Sequence, residues 1–86
     1  MVDSKELKIN ELLLEFSGVL SSDILSNIKS LNDASEWGIA LEELCNMLFE
    51  FDVIIDLSQY KSIEKVGLEM NLDENGWIFL KPLIKQ

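Results

Sequence analysis

The sequence predicts an all-α fold, a compact bundle of about four helices with a short apolar C-terminal segment. One proline and four glycines among 86 residues are too few chain breakers for a turn-rich β fold. Apolar residues recur at helical spacing in four stretches, and residues that can cap a helix precede three of them. A chain of this length is expected to form one domain, residues 1–86, around a single core.

The first two helices are predicted from their apolar stripes. The first runs from about Ser4 to Leu20, with Asp3 or Ser4 as its cap. Its stripe consists of Ile9, Leu12, Leu13, Phe16 and Leu20. A second helix is predicted over Asp23–Leu31, ended by Asn32, since asparagine tolerates the left-handed conformation.

The third helix has the strongest pattern. It is predicted to start at Asp33, because Asp33 and Glu36 have the spacing of a capping box. Its apolar face consists of Trp37, Ala40, Leu41, Leu44, Met47, Leu48 and Phe51. Gly38 within it predicts close approach of a neighbour. Cys45 is predicted to be a small core residue rather than a reactive thiol, because no cation is near it in sequence.

The last third of the chain combines a connector, a helix and a closing segment. Residues 51–56 are expected to be extended, since three of them are β-branched. Asp56 then has capping spacing for a fourth helix from about Leu57 to Asn71. A turn is predicted at residues 73–76, where Gly76 is able to take positive φ. Residues 77–84 are expected to pack back on the bundle as a helical turn or an extended segment.

Acidic residues are concentrated in the middle of the chain. The net charge is −9, and seven carboxylates without a lysine lie between Asp33 and Asp56. Concentrating like charge costs energy through self-repulsion, so such a stretch indicates a cationic partner. An ordinary solvated helix face explains the same charges.

Missing residue types exclude several functions. The chain has no histidine and no arginine, so a Ser-His-Asp triad, a Cys/His zinc site and an arginine clamp on phosphate are impossible within it. We therefore expect no enzyme, no cofactor and no metal. Nucleic-acid binding is disfavoured by the negative charge. The single cysteine, and the lack of a signal core or a long apolar run, predict a cytoplasmic protein without a membrane span.

Two weaker motifs point to ligands. Residues 71–78 match the first half of a calcium-binding EF-hand loop, but its twelfth position is Pro82 instead of glutamate. A plain turn is therefore the preferred interpretation. An acidic helical domain of this size also resembles an acyl carrier protein, yet neither Asp33-Ala-Ser35 nor Asp56-Leu-Ser58 has that family's Asp-Ser-Leu order.

The central helix carries a family resemblance. Residues 36–48 read Glu-Trp-Gly-Ile-Ala-Leu-Glu-Glu-Leu-Cys-Asn-Met-Leu and are followed by the acidic-apolar stretch Glu-Phe-Asp-Val-Ile-Ile. This pattern resembles the central helix of MafI-type immunity proteins, which are similar in size and helical content to immunity proteins of contact-dependent growth inhibition systems. The resemblance covers about residues 33–80. It implies a protein that binds and neutralises one cognate toxin domain.

The resemblance also implies a class of toxin. Such toxins are often nucleases, which are basic because they bind phosphate backbones. The contact residues are chosen by helical projection, with Glu42, Glu43, Asn46 and Glu50 at the centre and Glu36, Asp52 and Asp56 around them.

The alternative is a small helical adaptor or subunit that pairs through apolar surface. Leu7, Leu14, Ile39 and Phe49 motivate it, because the projections place them away from the apolar stripes.

Overall fold

The computed structural model describes residues 3–85 and confirms the all-α prediction. Four α-helices are followed by two short 3-10 helices, with no strand among the described residues. The α-helices are α1 (Ser4–Glu15), α2 (Ser22–Asp33), α3 (Trp37–Glu50) and α4 (Leu57–Glu69). The 3-10 helices are Glu74–Gly76 and Ile78–Leu83.

Neighbouring helices run antiparallel. Asn32, near the end of α2, donates hydrogen bonds from Nδ2 to the Glu6 carbonyl oxygen and to Asn10 Oδ1 in α1, both at 3.0 Å. An ion pair joins Lys8 of α1 to Glu69 at the end of α4. The end of α1 therefore lies beside the start of α2 and the start of α4.

The apolar stripes meet in one core. Its buried residues include Ile9, Leu12 and Phe16 from the α1 segment, and Leu41, Leu44 and Leu48 from α3. Asn32 is the buried polar residue in this core. A buried amide is tolerated when its hydrogens are bonded, and both Asn32 bonds reach α1, so this side chain fixes how α2 packs on α1.

Three helices end in the same way, and none of them uses glycine. After α2, α3 and α4 the chain turns at a residue with positive φ: Ser35 (65°), Asp52 (48°) and Asn71 (58°). In each case two backbone bonds close the helix end, for example Glu36 N–H to the Leu31 oxygen at 2.9 Å and Ser35 N–H to the Asn32 oxygen at 3.1 Å. This is the Schellman arrangement, in which glycine is the usual left-handed residue.

These ends correct several predicted boundaries. Helix α2 continues to Asp33, so Asn32 lies inside it and the left-handed residue is Ser35. The predicted capping box of Asp33 with Glu36 is wrong, because α3 starts at Trp37 and its N-cap Glu36 makes no side-chain cap bond. The Glu36 N–H is already bonded to the end of α2.

The ends of α1 and α4 also differ from the prediction. Helix α1 stops at Glu15 rather than Leu20, since the chain turns through Gly18 at φ 94°. Helix α4 stops at Glu69 rather than Asn71. The turn at residues 73–76 forms without a positive φ at Gly76. Asp73 caps that 3-10 turn by accepting from Asn75 N–H at 2.9 Å.

The start of α4 is as predicted. Asp56 Oδ1 accepts from Gln59 N–H at 2.7 Å, and Gln59 Oε1 accepts from Asp56 N–H at 2.9 Å. This reciprocal capping box satisfies two backbone donors that the helix itself leaves unpaired.

The connector before α4 is extended and pairs with the C-terminal segment. Val53 and Ile55 are buried while Ile54 is 71% exposed, the alternation expected of extended backbone. Ile55 N–H donates to the Leu83 oxygen at 3.0 Å, and Lys85 N–H donates to the Ile55 oxygen at 2.7 Å. The end of the chain therefore holds the connector in place.

Trp77 packs directly on the backbone of α4. It is 1% exposed, and a Cβ at Gly67 would lie only 2.7 Å from its Cε3 and Cη2 atoms. Gly67 is thus the glycine that allows close approach. The corresponding prediction for Gly38 is wrong, because a Cβ there would meet only Leu72 at an ordinary 3.6 Å.

No helix among residues 3–85 combines the length and the apolar character needed to cross a bilayer.

Replacing Ser35 with glycine should stabilise the fold. A non-glycine residue in the left-handed region is strained, so Ser35→Gly should raise the free energy of unfolding by about 1 kcal/mol. Urea unfolding measures this change in the free energy of unfolding. Ser26→Gly, at an exposed position inside α2, is the control and should lower stability by about 1 kcal/mol. Equal losses in both variants would contradict the assigned conformation of Ser35.

A pair of alanine substitutions tests the Trp77 contact. Gly67→Ala should lower the free energy of unfolding by about 2 kcal/mol or more, because the new methyl group overlaps the indole ring. Gly38→Ala should be neutral or stabilising by up to about 1 kcal/mol, since alanine favours a helix and has room there. Thermal or urea unfolding of both variants decides, and a harmless Gly67→Ala would rule out the packing described.

Candidate protein-binding surface

The solvent face of α3 carries the predicted site residues. Glu42, Asn46 and Glu50 are exposed and Glu43 is half-buried, all on the side opposite the buried residues of α3. Two apolar side chains, Ile39 and Phe49, lie on the same face, and each is about half exposed. We call these six residues the α3 face. It has a mixed acidic and apolar character along the whole helix.

Glu42 and Glu43 lie at opposite borders of the α3 face. Glu42 lines a cleft of about 270 Å³ between α3 and the turn after α4, together with Asp73 and Asn75. Glu43 lines a groove of about 460 Å³ between α2 and α3, together with Asn27 and Met47. The two carboxylates therefore adjoin different neighbouring elements.

The remaining predicted site residues lie beyond the two ends of α3. Glu36 is exposed at its start, and its carboxylate makes no cap bond. Asp52 and Asp56 are exposed in the connector after its end, where Asp56 also caps α4. The structure therefore places Glu36 more than a helix length from Asp52, about 20 Å at 1.5 Å per residue. A partner must span α3 to contact all seven residues.

Most of these carboxylates have no cationic neighbour in the described part of the chain. The ion pairs within residues 3–85 are Lys5–Asp3 at 3.8 Å, Lys29–Asp33 at 3.3 Å, and Lys8–Glu69. Asp33 is thus neutralised locally, whereas none of the other six acids of the lysine-free stretch takes part in these pairs. An exposed carboxylate without a partner keeps its field available for an approaching cation.

Glu15 adds a carboxylate from another helix. It ends α1 beside Asp56, and burial, together with the charge of Asp56, raises its pKa. The last turn of α1 is also the negative end of the helix dipole, so a carboxylate there is placed unfavourably. Glu15 and Asp56 form a like-charged pair, and a cation bound near them would reduce the repulsion between the two carboxylates.

Cys45 and Asp73 both have structural roles. Cys45 is fully buried, and burial with the nearby charge of Glu42 raises its pKa to about 12, so it stays a thiol at neutral pH. This matches its predicted place in the core. Residues 3–85 hold no group of three side chains placed to bind a metal ion. Asp73 caps its turn instead, as the preferred interpretation of the EF-hand-like segment requires.

Large apolar side chains are exposed to an unusual extent. Nine of them are about half or more exposed: Leu7, Leu14, Val19, Ile39, Phe49, Phe51, Ile54, Leu57 and Leu68. Phe49 is held in a T-shaped contact with Phe79, with ring centroids 5.4 Å apart. A fixed aromatic side chain loses little conformational freedom on binding, which suits it to an interface.

Sequence reasoning missed Glu15 and Asp73 as members of the surface. Both come from elements other than α3, and only the packing of α4 and the following turn brings them beside Asp56 and Glu42. A helical projection treats one helix at a time, so it contains no signal for either residue.

Comparison of the chain with protein-family models, with curated proteins and with solved structures gives no match. The family resemblance of the α3 segment therefore stays a prediction.

Removing the Glu15 charge should stabilise the fold in a pH-dependent way. The pKa of Glu15 is raised above 4.5 in the folded state, so Glu15 ionises less readily in the folded chain than in the unfolded chain. Its ionisation therefore lowers the free energy of unfolding as the pH rises above 4.5. Glu15→Gln should therefore raise the melting temperature slightly at neutral pH and leave it unchanged at about pH 3, where carboxylates are protonated.

Glu11→Gln is the matched control, because Glu11 lies one helical turn before Glu15 and lines the same groove, with Lys8 and Lys65. The same charge removal at Glu11 should not stabilise the protein. An identical gain in both variants would mean that total net charge, and not the Glu15–Asp56 pair, sets the effect.

Proposed function

We propose that this protein is a cytoplasmic, non-enzymatic immunity protein that binds and neutralises a cognate basic toxin domain, of which a nuclease is the expected class. The observation that carries the proposal is the α3 face, with three carboxylates that make no ion pair among the described residues. The MafI-like pattern of residues 36–48 falls on this same helix.

In the proposed mechanism, the acidic α3 face covers the basic substrate-binding cleft of the toxin. A nuclease must carry a basic cleft, because its substrate is a chain of phosphates. Glu42, Glu43 and Glu50 project from a helix, so the backbone that carries these carboxylates needs no ordering when lysine and arginine side chains bind. Complementary charge speeds the encounter and rejects wrong partners. Ile39 and Phe49 then supply apolar contact within the charged surface.

The second candidate is a helical adaptor or subunit that pairs through apolar surface. Its support is the exposure of Leu7, Leu14, Ile39 and Phe49, each about half exposed or more. Exposed apolar residues are common singly, so the argument rests on their number in a small chain. Ionic strength separates the candidates, because screening weakens charge-driven binding and leaves apolar pairing largely unchanged.

Charge reversal on the α3 face tests the proposal. The partner is first captured from a lysate of the native source at low salt and identified by mass spectrometry. We expect a basic, toxin-like domain. Glu43→Lys and Glu50→Lys should each weaken its binding at least about tenfold, because each turns an attraction into a repulsion. Protection of cells from that toxin should fall in parallel.

Glu11→Lys is the control, since it makes the same charge change at an exposed position on α1, away from the α3 face. Circular dichroism checks that all three variants are folded. Wild-type protection by both α3 variants would exclude this face as the site. Recovery of only the protein itself, at every salt concentration, would favour the adaptor.

A further inference from the structure

Exposed apolar residues are concentrated at one end of the bundle. We call this the connector end, formed by residues 16–21, residues 51–56 and the helical turns next to them. Six of the nine large exposed apolar side chains are here, namely Leu14, Val19, Phe49, Phe51, Ile54 and Leu57. The other three lie in the terminal turns at the opposite end. The concentration is a property of the fold, since these residues come from separate parts of the sequence.

The antiparallel packing brings these segments to the same end. Glu15, at the end of α1, feels the charge of Asp56, at the start of α4. The groove between α1 and α2 joins Leu14 and Ser17 to Ser22 and Leu25. That groove has a volume of about 420 Å³ and is lined mainly by apolar atoms. An open apolar channel therefore leads away from the connector end along α1.

The backbone explains why the apolar side chains are exposed there. Phe51 follows the last turn of α3, and the left-handed Asp52 turns the chain away immediately after it. Ile54 points outward because the two residues beside it, Val53 and Ile55, are buried. The pairing of Ile55 with the chain end holds this arrangement. Ile54 and Phe51 are thus presented on ordered backbone, which reduces the entropy lost on binding.

The charge of the connector end indicates which kind of partner would bind there. Residues 14–23 and 49–57 contain five carboxylates and no lysine. Hydrogen bonds bring Lys85 next to the connector through its backbone, and Lys8 and Lys65 line the groove in which Glu15 lies. A second copy of the chain would bring the same carboxylates against each other, because a two-fold interface pairs identical surfaces. That repulsion disfavours self-association and favours a cationic occupant.

We propose that the connector end is the apolar anchor site for the partner, and that its occupant is a basic amphipathic segment. The apolar side chains of this segment contact Phe51, Ile54 and Leu57. Its lysines or arginines meet Glu15, Glu50 and Asp52. This inference rests on the proposed function, since it locates the strongest contact of the same basic partner. It places that contact beyond the end of α3, with the α3 face as the adjoining charged surface.

Two synthetic peptides test the site in the intact protein. The first is an amphipathic helix of lysine and leucine, about 15 residues long. The second has the same charge, with every leucine replaced by serine. Binding is measured at about 10 mM salt, where the Debye length is about 30 Å. Amide chemical shifts in NMR spectra locate each peptide on the protein.

We expect the leucine peptide to bind at least about tenfold more tightly than the serine peptide, because burial of apolar side chains adds to the charge attraction. Its largest shift changes should fall in residues 14–20 and 49–57. The double variant Ile54→Ser/Leu57→Ser should remove the advantage. The control Leu7→Ser/Leu68→Ser should keep it, because these positions are similarly exposed at the opposite end of the bundle.

Other outcomes overturn the proposal in distinguishable ways. Equal binding of both peptides, with shifts confined to residues 42–50, would remove the connector end as anchor and leave the acidic α3 face as the site. Binding of neither peptide would remove the connector end as a site for a basic segment, while capture of the toxin would still decide the proposed function. A dimer in sedimentation that Ile54→Ser/Leu57→Ser abolishes would make a second copy the occupant.

Discussion

The packing of Trp77 on Gly67 determines how the second half of the bundle is built. Helices α3 and α4 make few direct contacts, and the segment after α4 fills the space between them. The indole reaches that position because α4 presents bare backbone at Gly67. Its Nε1–H has no acceptor among residues 3–85, so the ring is held by packing alone. Burial of a whole tryptophan outweighs one unbonded donor.

This contact positions the exposed surfaces as well as the core. The 3-10 helix that follows Trp77 places Phe79 against Phe49 and brings Ile84 beside Ile55. The connector is consequently fixed at both ends, by the turn after α3 and by the C-terminal pairing. A segment with little hydrogen bonding of its own thereby becomes a rigid part of the molecular surface, and the acids within it inherit defined positions.

The parts of this fold that depend on neighbouring residues could be predicted, and the parts that depend on distant ones could not. Helical periodicity is local, so the core face of α3 is correct apart from Phe51, and the capping box of Asp56 is correct too. Phe51 is 58% exposed because α3 ends at Glu50, one residue before it. The end of α2 was misplaced, because the left-handed turn falls on Ser35, a residue type that does not favour it. The contributions of Glu15 and Asp73 to the surface needed the tertiary fold.

The exposed apolar end has a consequence for the colloidal behaviour of the free protein. At neutral pH the net charge of −9 opposes close approach of two molecules, and with it contact between their exposed apolar residues. The isoelectric point lies near 4.2, close to the ordinary pKa of the same carboxylates. Acidification toward the isoelectric point therefore removes the electrostatic repulsion between molecules and leaves the apolar residues exposed, which favours aggregation. Electrostatic repulsion is therefore the force that opposes contact between the exposed apolar ends of two molecules.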